Sequence, residues 1–384
     1  MKGSATVTPS TGEDANKPDK NDVYLAINGK ITVVGVLKPE GSTAARITPE
    51  NYDTTQPVLD GNITIGTPQN YQKFTVTSKV LADGIAEIWK IKANGNLEKS
   101  KYMDVRYDKL AHYLSSPYAS SHAVEGINYI KITGTIPANH LTDNTYPSSG
   151  GQLARTIRTA GKKVALELPD SIPGLTTMYD CFYGCEHLVS LEKIPSGVTS
   201  MEECFQGCTA LTKAPVIPPS VNNMKHCFHD CKALTEAPAI PSGVTEIKYC
   251  FQGCKELTKA PVLPSGVTDI YACFAGCEKL TKAPTIPSGV EDISTCFSGC
   301  KALTRGPDIP STVYNMYQCF QGCTSLKGLK LMCNYDDSVT YFTDVFDGCT
   351  ALETGGIQVP QNQLQAYRDH VGKMKTTADK FSGF

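Results

Sequence analysis

The sequence predicts an α/β repeat solenoid of about 23 residues per coil, preceded by an N-terminal all-β domain. Three observations carry this reading. The motif Cys-Phe-x-Gly-Cys recurs with its first cysteine at positions 181, 204, 227, 250, 273, 296 and 319, an interval of 23 residues each time. Between these marks runs Leu-Thr-Lys-Ala-Pro-x-Ile/Leu-Pro-Ser-Gly-Val-x-x-Ile, cleanest at 257–270 and 280–293. Upstream of the period, residues 22–100 alternate in the β manner at 23–27, 30–36 and 73–77. An eighth, degraded copy, Val345-Phe346-Asp347-Gly348-Cys349, follows after 26 residues, stretched by an insertion at 334–337.

Each element of the unit has a physical role. Leu257, Ala260 and Leu263 suit a short apolar strand whose inward residues stack on their counterparts in neighbouring coils. Pro264-Ser265-Gly266 ends that strand, because proline presets a turn and glycine tolerates positive φ. Val267, Ile270, Cys273 and Phe274 follow at spacings of three, three and one, which predicts one face of a helical turn on the convex side. Gly276 ends the turn in the left-handed region, and Asp230, which replaces this glycine in the third copy, tolerates that conformation better than most residues. A coil cannot bury its own apolar face, so the ends require caps. The N-terminal cap is read from a strand at 126–136, a short helix at 151–161 and a strand at 163–168; the C-terminal cap is read from the helical segment at 363–368.

The resulting division is a flexible tether at 1–21, a small β domain at 22–100, a linker and N-terminal cap at 101–175, repeats at 176–357, and a cap helix and tail at 358–384. The tether is rich in Thr, Pro, Asp and Lys and lacks the apolar centre of a signal peptide, so a secretion signal is expected to have been removed before it. With 36 basic and 38 acidic residues, the net charge of -2 provides no global field for nucleic acid or an anionic membrane. No stretch reaches the 18 or more apolar residues of a membrane span.

The sixteen cysteines form no metal or redox motif, since Cys-x3-Cys matches neither the Cys-x2-Cys of zinc ribbons nor a thioredoxin-type pair. The coil period instead stacks them in columns, one of which runs Cys181, Cys204, Cys227, Cys250, Cys273, Cys296, Cys319. Val345 fills that column in the eighth copy, which favours buried cysteine acting as a small hydrophobe; an even number of thiols in an exported protein keeps disulfides open as the alternative. Phe182, Phe205, Phe228, Phe251, Phe274, Phe297 and Phe320 form a parallel column, read as a stacked spine rather than a binding stripe. His226-Cys227-x-His229-x-Cys231 has metal-ligand residue types, but its histidines occupy positions filled by Glu203 and Gln206 or Tyr249 and Gln252 in adjacent copies, and so are expected to face solvent. No metal, cofactor or catalytic constellation is assigned, and the chain is expected not to be an enzyme.

The run Ile-Pro-Ser-Gly-Val-Thr-x-Ile-x-x-Cys-Phe-x-Gly-Cys-x-x-Leu-Thr resembles the BspA-like leucine-rich-repeat surface proteins of host-associated bacteria, over about residues 163–375. Val359-Pro360 with Ala366-Tyr367 is similar to that family's C-terminal end, and Lys162-Lys163-Val164-Ala165-Leu166 to its lead-in. The chain departs from the commoner pattern in placing Cys where Ala usually precedes Phe, and in adding one residue, with proline, to the strand segment. The resemblance implies secretion or lipid anchoring at the cell surface and adhesion to host proteins or other bacteria.

Two functions are therefore expected: a cell-surface binding protein or adhesin that holds a host or bacterial macromolecule on the repeats, or a structural spacer presenting the N-terminal β domain. Lys213, Glu236, Lys259, Lys282 and Arg305 lie two residues after the strand leucine, a position that borders the concave sheet in a leucine-rich repeat. Lys213, Lys259, Lys282 and Arg305 are the candidate binding residues, and their row suits an acidic glycan or an acidic patch on a protein. The competing reading is that Glu246, Asp269 and Asp292 neutralise the row as ordinary surface charge.

Overall fold

The computed structural model describes residues 5–9, 21–25, 30–33, 45–52, 54–55, 57–61, 64, 69, 72, 74–142, 150–336 and 340–384. It forms two compact units, residues 1–124 with 129–133 and residues 125–128 with 134–384.

In the first unit, β1 (Ala5–Pro9) pairs antiparallel with β2 (Asn21–Leu25), in register Ala5 to Leu25. The predicted tether therefore includes a strand, for which the alternation around Thr6, Val7 and Thr8 is well suited; its segments 1–4 and 10–20 lie outside the described residues. Strand β3 (Ile31–Val33) pairs with β5 (Leu59–Gly61), whereas β4 (Ala45–Pro49) joins β2 to β6 (Phe74–Val76), giving the sheet order β1-β2-β4-β6. Positions 26–27, 34–36 and 73 of the strands expected from sequence fall outside the described residues. A meander of β7 (Lys79–Ala82), β8 (Ile85–Ile91) and β9 (Leu97–Arg106) follows, and β10 (Asn128–Thr133) adds parallel to β9. Leu25, Ile31, Ile47, Val58, Leu59, Trp89, Ile91 and Leu97 make one buried cluster. The unit is not purely β: it extends beyond residue 100 through α1 (Leu110–Ser115), which buries Leu110, Tyr113 and Leu114, and α2 (Pro117–Ser121).

In the second unit, α3 (Gln152–Ala160) buries Leu153, Ala154 and Ile157 and ends on Gly161 at φ 62°. It leads into β11 (Val164–Glu167), which pairs parallel with β12 (Leu188–Leu191). At the far end, β13 (Arg305–Ile309), β14 (Gly328–Leu331), β15 (Ile357–Val359) and β16 (Phe381–Gly383) form a parallel sheet in that order, with α4 (Leu364–Asp369) and α5 (Val371–Met374) between the last two strands. Between β12 and β13 the expected strands shrink to single-residue bridges: Ser190 to Lys213, Lys213 to Glu236, Glu236 to Lys259 and Lys259 to Lys282. Proline is the reason. Each of these coils carries Ala-Pro-x-x-Pro just after the bridge, and proline has no N–H to donate to a ladder. The proline-free segments Leu-Val-Ser-Leu and Gly-Leu-Lys-Leu form strands, and β13, which keeps Pro307, pairs with the second of them through a register shift that spans the proline.

The helical turn predicted around each Cys-Phe is also replaced. The residue before the first cysteine is left-handed in every copy, as at Glu203 (φ 57°), Ala272 (φ 50°) and Thr295 (φ 53°), and so is the glycine four residues later, as at Gly276 (φ 72°). Two left-handed residues so close together cannot propagate an α-helix. Alternate amides point instead at the next coil, while those between them close turns within their own: Phe205 N–H donates to Cys227 O at 2.8 Å, Gly207 N–H to His229 O at 2.7 Å, and Phe228 N–H to Cys250 O at 2.9 Å. The turn side of the array is thus a hydrogen-bonded ladder between coils. Asp230 takes φ 56° at the glycine position, as its tolerance of the left-handed region allows.

Inside the ladder lie the two predicted columns. Phe182 through Phe320 and on to Phe346 stack ring on ring, with centroids 5.3 to 6.1 Å apart and planes 4° to 9° from parallel. All sixteen cysteines are free and buried. In the second cysteine column each thiol from Cys208 to Cys349 donates to a phenylalanine carbonyl of the preceding coil, as in Cys208 Sγ to Phe182 O at 3.0 Å and Cys277 Sγ to Phe251 O at 3.2 Å, while Cys185 at the start of the column faces Ala154 O. Burial pushes the thiol pKa values up, to about 12 at Cys273 and Cys300, so these thiols stay protonated and unreactive.

Candidate binding surface

The unit Leu257-Thr258-Lys259-Ala260-Pro261-Val262-Leu263-Pro264 shows how the surface is made. Leu257 and Leu263 are buried, at 0% and 6% exposure, and anchor the segment at both ends. Thr258 reaches the preceding coil twice, through its amide to Thr235 O at 3.2 Å and its hydroxyl to the same carbonyl at 3.3 Å. The same threonine contact recurs at Thr212, Thr235 and Thr281. These contacts hold consecutive segments side by side and turn the next residue of each outward.

That residue is the lysine of the candidate row. Lys213, Glu236, Lys259 and Lys282 are exposed and connected bridge by bridge, so Lys259 and Lys282 lie on adjacent backbones about 5 Å apart. Glu236 interrupts the row between Lys213 and Lys259. Arg305, also exposed, holds the equivalent position in the next coil, where it opens β13 and pairs with Gly328.

Several charges elsewhere on the array are neutralised between coils. Glu278 lies 3.0 Å from both Lys255 and Lys301, Lys279 is 2.6 Å from Glu256, and Lys225 is 3.0 Å from Glu202. Hydrogen bonds from Lys301 and Lys255 hold the Glu278 carboxyl below its ordinary range. By contrast, among the described residues no carboxylate comes within 4.0 Å of Lys213, Lys259, Lys282 or Arg305. Two of the acids expected to neutralise the row are engaged elsewhere: Asp269 binds Lys248 at 2.7 Å, and Asp292 accepts from Asn315 at 2.8 Å and from Ser294.

Beside the row the small side chains leave room. Residues 236–242 and 259–264 line a groove of about 470 Å³, and a second of about 560 Å³ lies between 259–265 and 282–288, so that Lys259, Ala260, Pro261, Val262 and Leu263 form the wall common to both. Ala260, expected among the inward residues, lines the groove instead, because Pro261 turns the chain before the next buried side chain. Val262 stands on the dividing wall at 87% exposure, and Val216, at the same position two coils earlier, is 70% exposed. Sequence reasoning found the cations but missed the groove and its valines. The signal was present: an apolar residue between Pro261 and Leu263 has no inward position left to occupy.

Comparison with known proteins gives this architecture its family. The family model described as "BspA type Leucine rich repeat region" matches residues 165–281 and 248–367, with six copies of the repeat. No curated protein matches the chain. Among solved structures it is similar to a leucine-rich-repeat protein of T. pallidum, at 24% identity over 58% of this chain and 86% of the other, with a TM-score of 0.37. It is also similar to a leucine-rich-repeat protein from Bacteroides ovatus ATCC 8483, at 16% identity over 80% of this chain and 99% of the other, with a TM-score of 0.23. A leucine-rich cell surface protein from Faecalibacterium prausnitzii A2-165 shares 17% identity over 76% of this chain and 97% of its own, with a TM-score of 0.25. Since the family model spans more than half of the 384 residues and its repeats coincide with the coils described above, this chain belongs to the BspA-type leucine-rich-repeat family.

Proposed function

We propose that this protein is a non-enzymatic, cell-surface binding protein that holds an acidic macromolecule, a sulfated glycan or an acidic protein patch, against the Lys259–Lys282–Arg305 face. The observation that carries the reading is the contrast in charge pairing: Lys225, Lys248, Lys255, Lys279 and Lys301 are each paired with a carboxylate of an adjacent coil, whereas Lys259, Lys282 and Arg305 are not. Unpaired like charges about 5 Å apart repel one another, so the row is mildly unfavourable in the free protein and is relieved when an anion covers it. Val262 and the two grooves beside it add apolar contact that such a ligand desolvates. Membership of the BspA-type family supports placing this function at a bacterial surface.

The test replaces Lys259, Lys282 and Arg305 together by Ser and measures attachment to heparin-like glycans and host matrix proteins. At a few tenths to 1 kcal/mol for each exposed charge, the loss is about tenfold at low salt, and wild-type binding itself weakens steeply as salt is added. Unchanged attachment with an intact circular dichroism spectrum removes this face from the function. The alternative is that of a spacer carrying the first unit; the unbroken phenylalanine stack is the feature that favours it. A pull-down comparing residues 134–384 with residues 1–133, which keep the strands and helices of the first unit, separates the two.

A further inference from the structure

The third coil departs from the repeat at three neighbouring positions. Before the first cysteine the copies carry Asp180, Glu203, His226, Tyr249, Ala272, Thr295 and Gln318; two residues after it they carry Tyr183, Gln206, His229, Gln252, Ala275, Ser298 and Gln321. Histidine occupies both positions only in this coil. The next position, glycine in every other copy, is here Asp230, held at φ 56° despite its side chain. The geometry brings all three together. A turn closed by His229 N–H to His226 O at 3.1 Å folds the rings toward each other, and the two Nδ1 atoms stand 3.4 Å apart.

That separation is long for a hydrogen bond but suits a shared metal. Two imidazole nitrogens bound to one ion at 2.0–2.1 Å in tetrahedral geometry lie about 3.3–3.4 Å apart. The surroundings hold the rings in place. His226 stacks on Tyr249 with centroids 4.2 Å apart and planes 10° from parallel, and Asp230 Oδ2 lies 3.7 Å from Nε2 of His229, the nitrogen facing away from the pair. A carboxylate at the outer nitrogen favours a proton there and leaves the lone pair on Nδ1. The nearby cation, Lys225, is bound to Glu202 at 3.0 Å.

We propose that His226 and His229 form a surface chelate for a divalent transition-metal ion of the Zn2+ or Ni2+ type, bound through both Nδ1 atoms, with Asp230 as the positioning residue for His229. Cys227 and Cys231 point into the core and take no part. Among the described residues no third His, Cys, Asp or Glu converges on the point. The chelate therefore leaves coordination positions open to water or to a donor from outside the chain. Imidazole is a borderline ligand, which favours these ions over Mg2+ and Ca2+.

The experiment titrates the full chain, stripped with a chelator, with Zn2+ and separately with Ni2+ at neutral pH, following heat and the histidine ring-proton resonances. His226→Thr and His229→Gln introduce residues that other coils carry at these positions, so the fold is retained. Wild type takes up one equivalent, with the resonances of both rings shifting together; either variant loses that equivalent. Asp230→Gly restores the glycine of the repeat and weakens binding about tenfold or more through loss of ring orientation. Uptake of metal unchanged in the His226→Thr/His229→Gln double variant overturns the site. Undiminished affinity in Asp230→Gly overturns the role given to that carboxylate.

Discussion

At the scale of single residues, the two cysteine columns differ in what they contribute. A thiol of the first column, such as Cys296, packs as a small hydrophobe, and Val345 occupies the same column in the eighth copy, fully buried. A thiol of the second column, such as Cys277, also donates to a carbonyl of the preceding coil. Cys296→Val is therefore expected to cost about 1 kcal/mol, and Cys277→Val about 2 kcal/mol or more, because the latter both enlarges the side chain and removes the S–H donor. Urea denaturation of each variant measures the difference, and alkylation under denaturing, non-reducing conditions should label most of the sixteen thiols. In the first unit the informative residue is Glu87. Burial pushes its carboxyl up, but Lys99 at 2.6 Å, with His122 and Trp89 at 3.3 Å, outweighs burial, and the net shift is downward. A depressed carboxyl pKa favours folding above the ordinary glutamate value of about 4.3, and that contribution fades as pH falls through the folded-state value. Glu87→Gln should therefore lower stability at neutral pH by on the order of 2 kcal/mol and flatten the acid limb of the stability–pH curve. An acid limb as steep in Glu87→Gln as in wild type would assign it to other carboxylates.

At the scale of the element, the turn ladder requires a left-handed residue before each first cysteine, and the residues found there are not selected for it. Thr295, at φ 53°, is the least suited, since a β-branched side chain crowds the backbone in that region; its hydroxyl bonds only to the adjacent Ser294 carbonyl, at 2.8 Å. Thr295→Gly is expected to raise stability by about 1 kcal/mol by relieving that crowding, and Thr295→Asn by less. A melting temperature that falls in both variants would mean that the side chain contributes more to packing than the conformation costs. The opposite face follows proline. Where Ala-Pro-x-x-Pro follows the strand leucine the ladder reduces to isolated bridges, where proline is missing, as in β12 and β14, a strand forms, and β13, which keeps Pro307, pairs with proline-free β14 through a register shift that spans the proline.

At the scale of the whole molecule, each coil contacts its neighbours through a repeated set of bonds, so one coil can replace another. Cys227 O receives Phe205 N–H and Cys250 O receives Phe228 N–H, and removing 23 residues brings equivalent groups back into register. Deleting residues 250–272 should therefore preserve a cooperatively folded protein with somewhat lower stability. Deleting the same length less half a coil should not, because it would set Phe against the polar turn. Circular dichroism and thermal unfolding of the two deletions decide the matter. Tolerance of the shorter, out-of-phase deletion would show that the coils do not depend on register.

The repeat family, the period and the phenylalanine and cysteine columns were all legible in the sequence, because each is set by a residue type recurring at a fixed interval; the helix and strand character of α3, β11 and α4 was legible from local apolar patterning. Whatever depended on where backbone groups find partners was not. The turn residues show a helical spacing of apolar side chains, yet alternate amides among them bond to the next coil, and only the stacked structure reveals that competition. The lysine row was legible as a column, whereas its lack of counter-ions was decided by the fold, which carries Asp269 and Asp292 to a different edge of the coil. His226 and His229 stood out in the sequence as metal-ligand residue types but read as solvent-facing variable positions, because sequence spacing does not report that a left-handed residue and a tight turn bring their Nδ1 atoms to 3.4 Å. Periodic burial is a property of the chain, but pairing between atoms of different coils exists only once the coils are stacked.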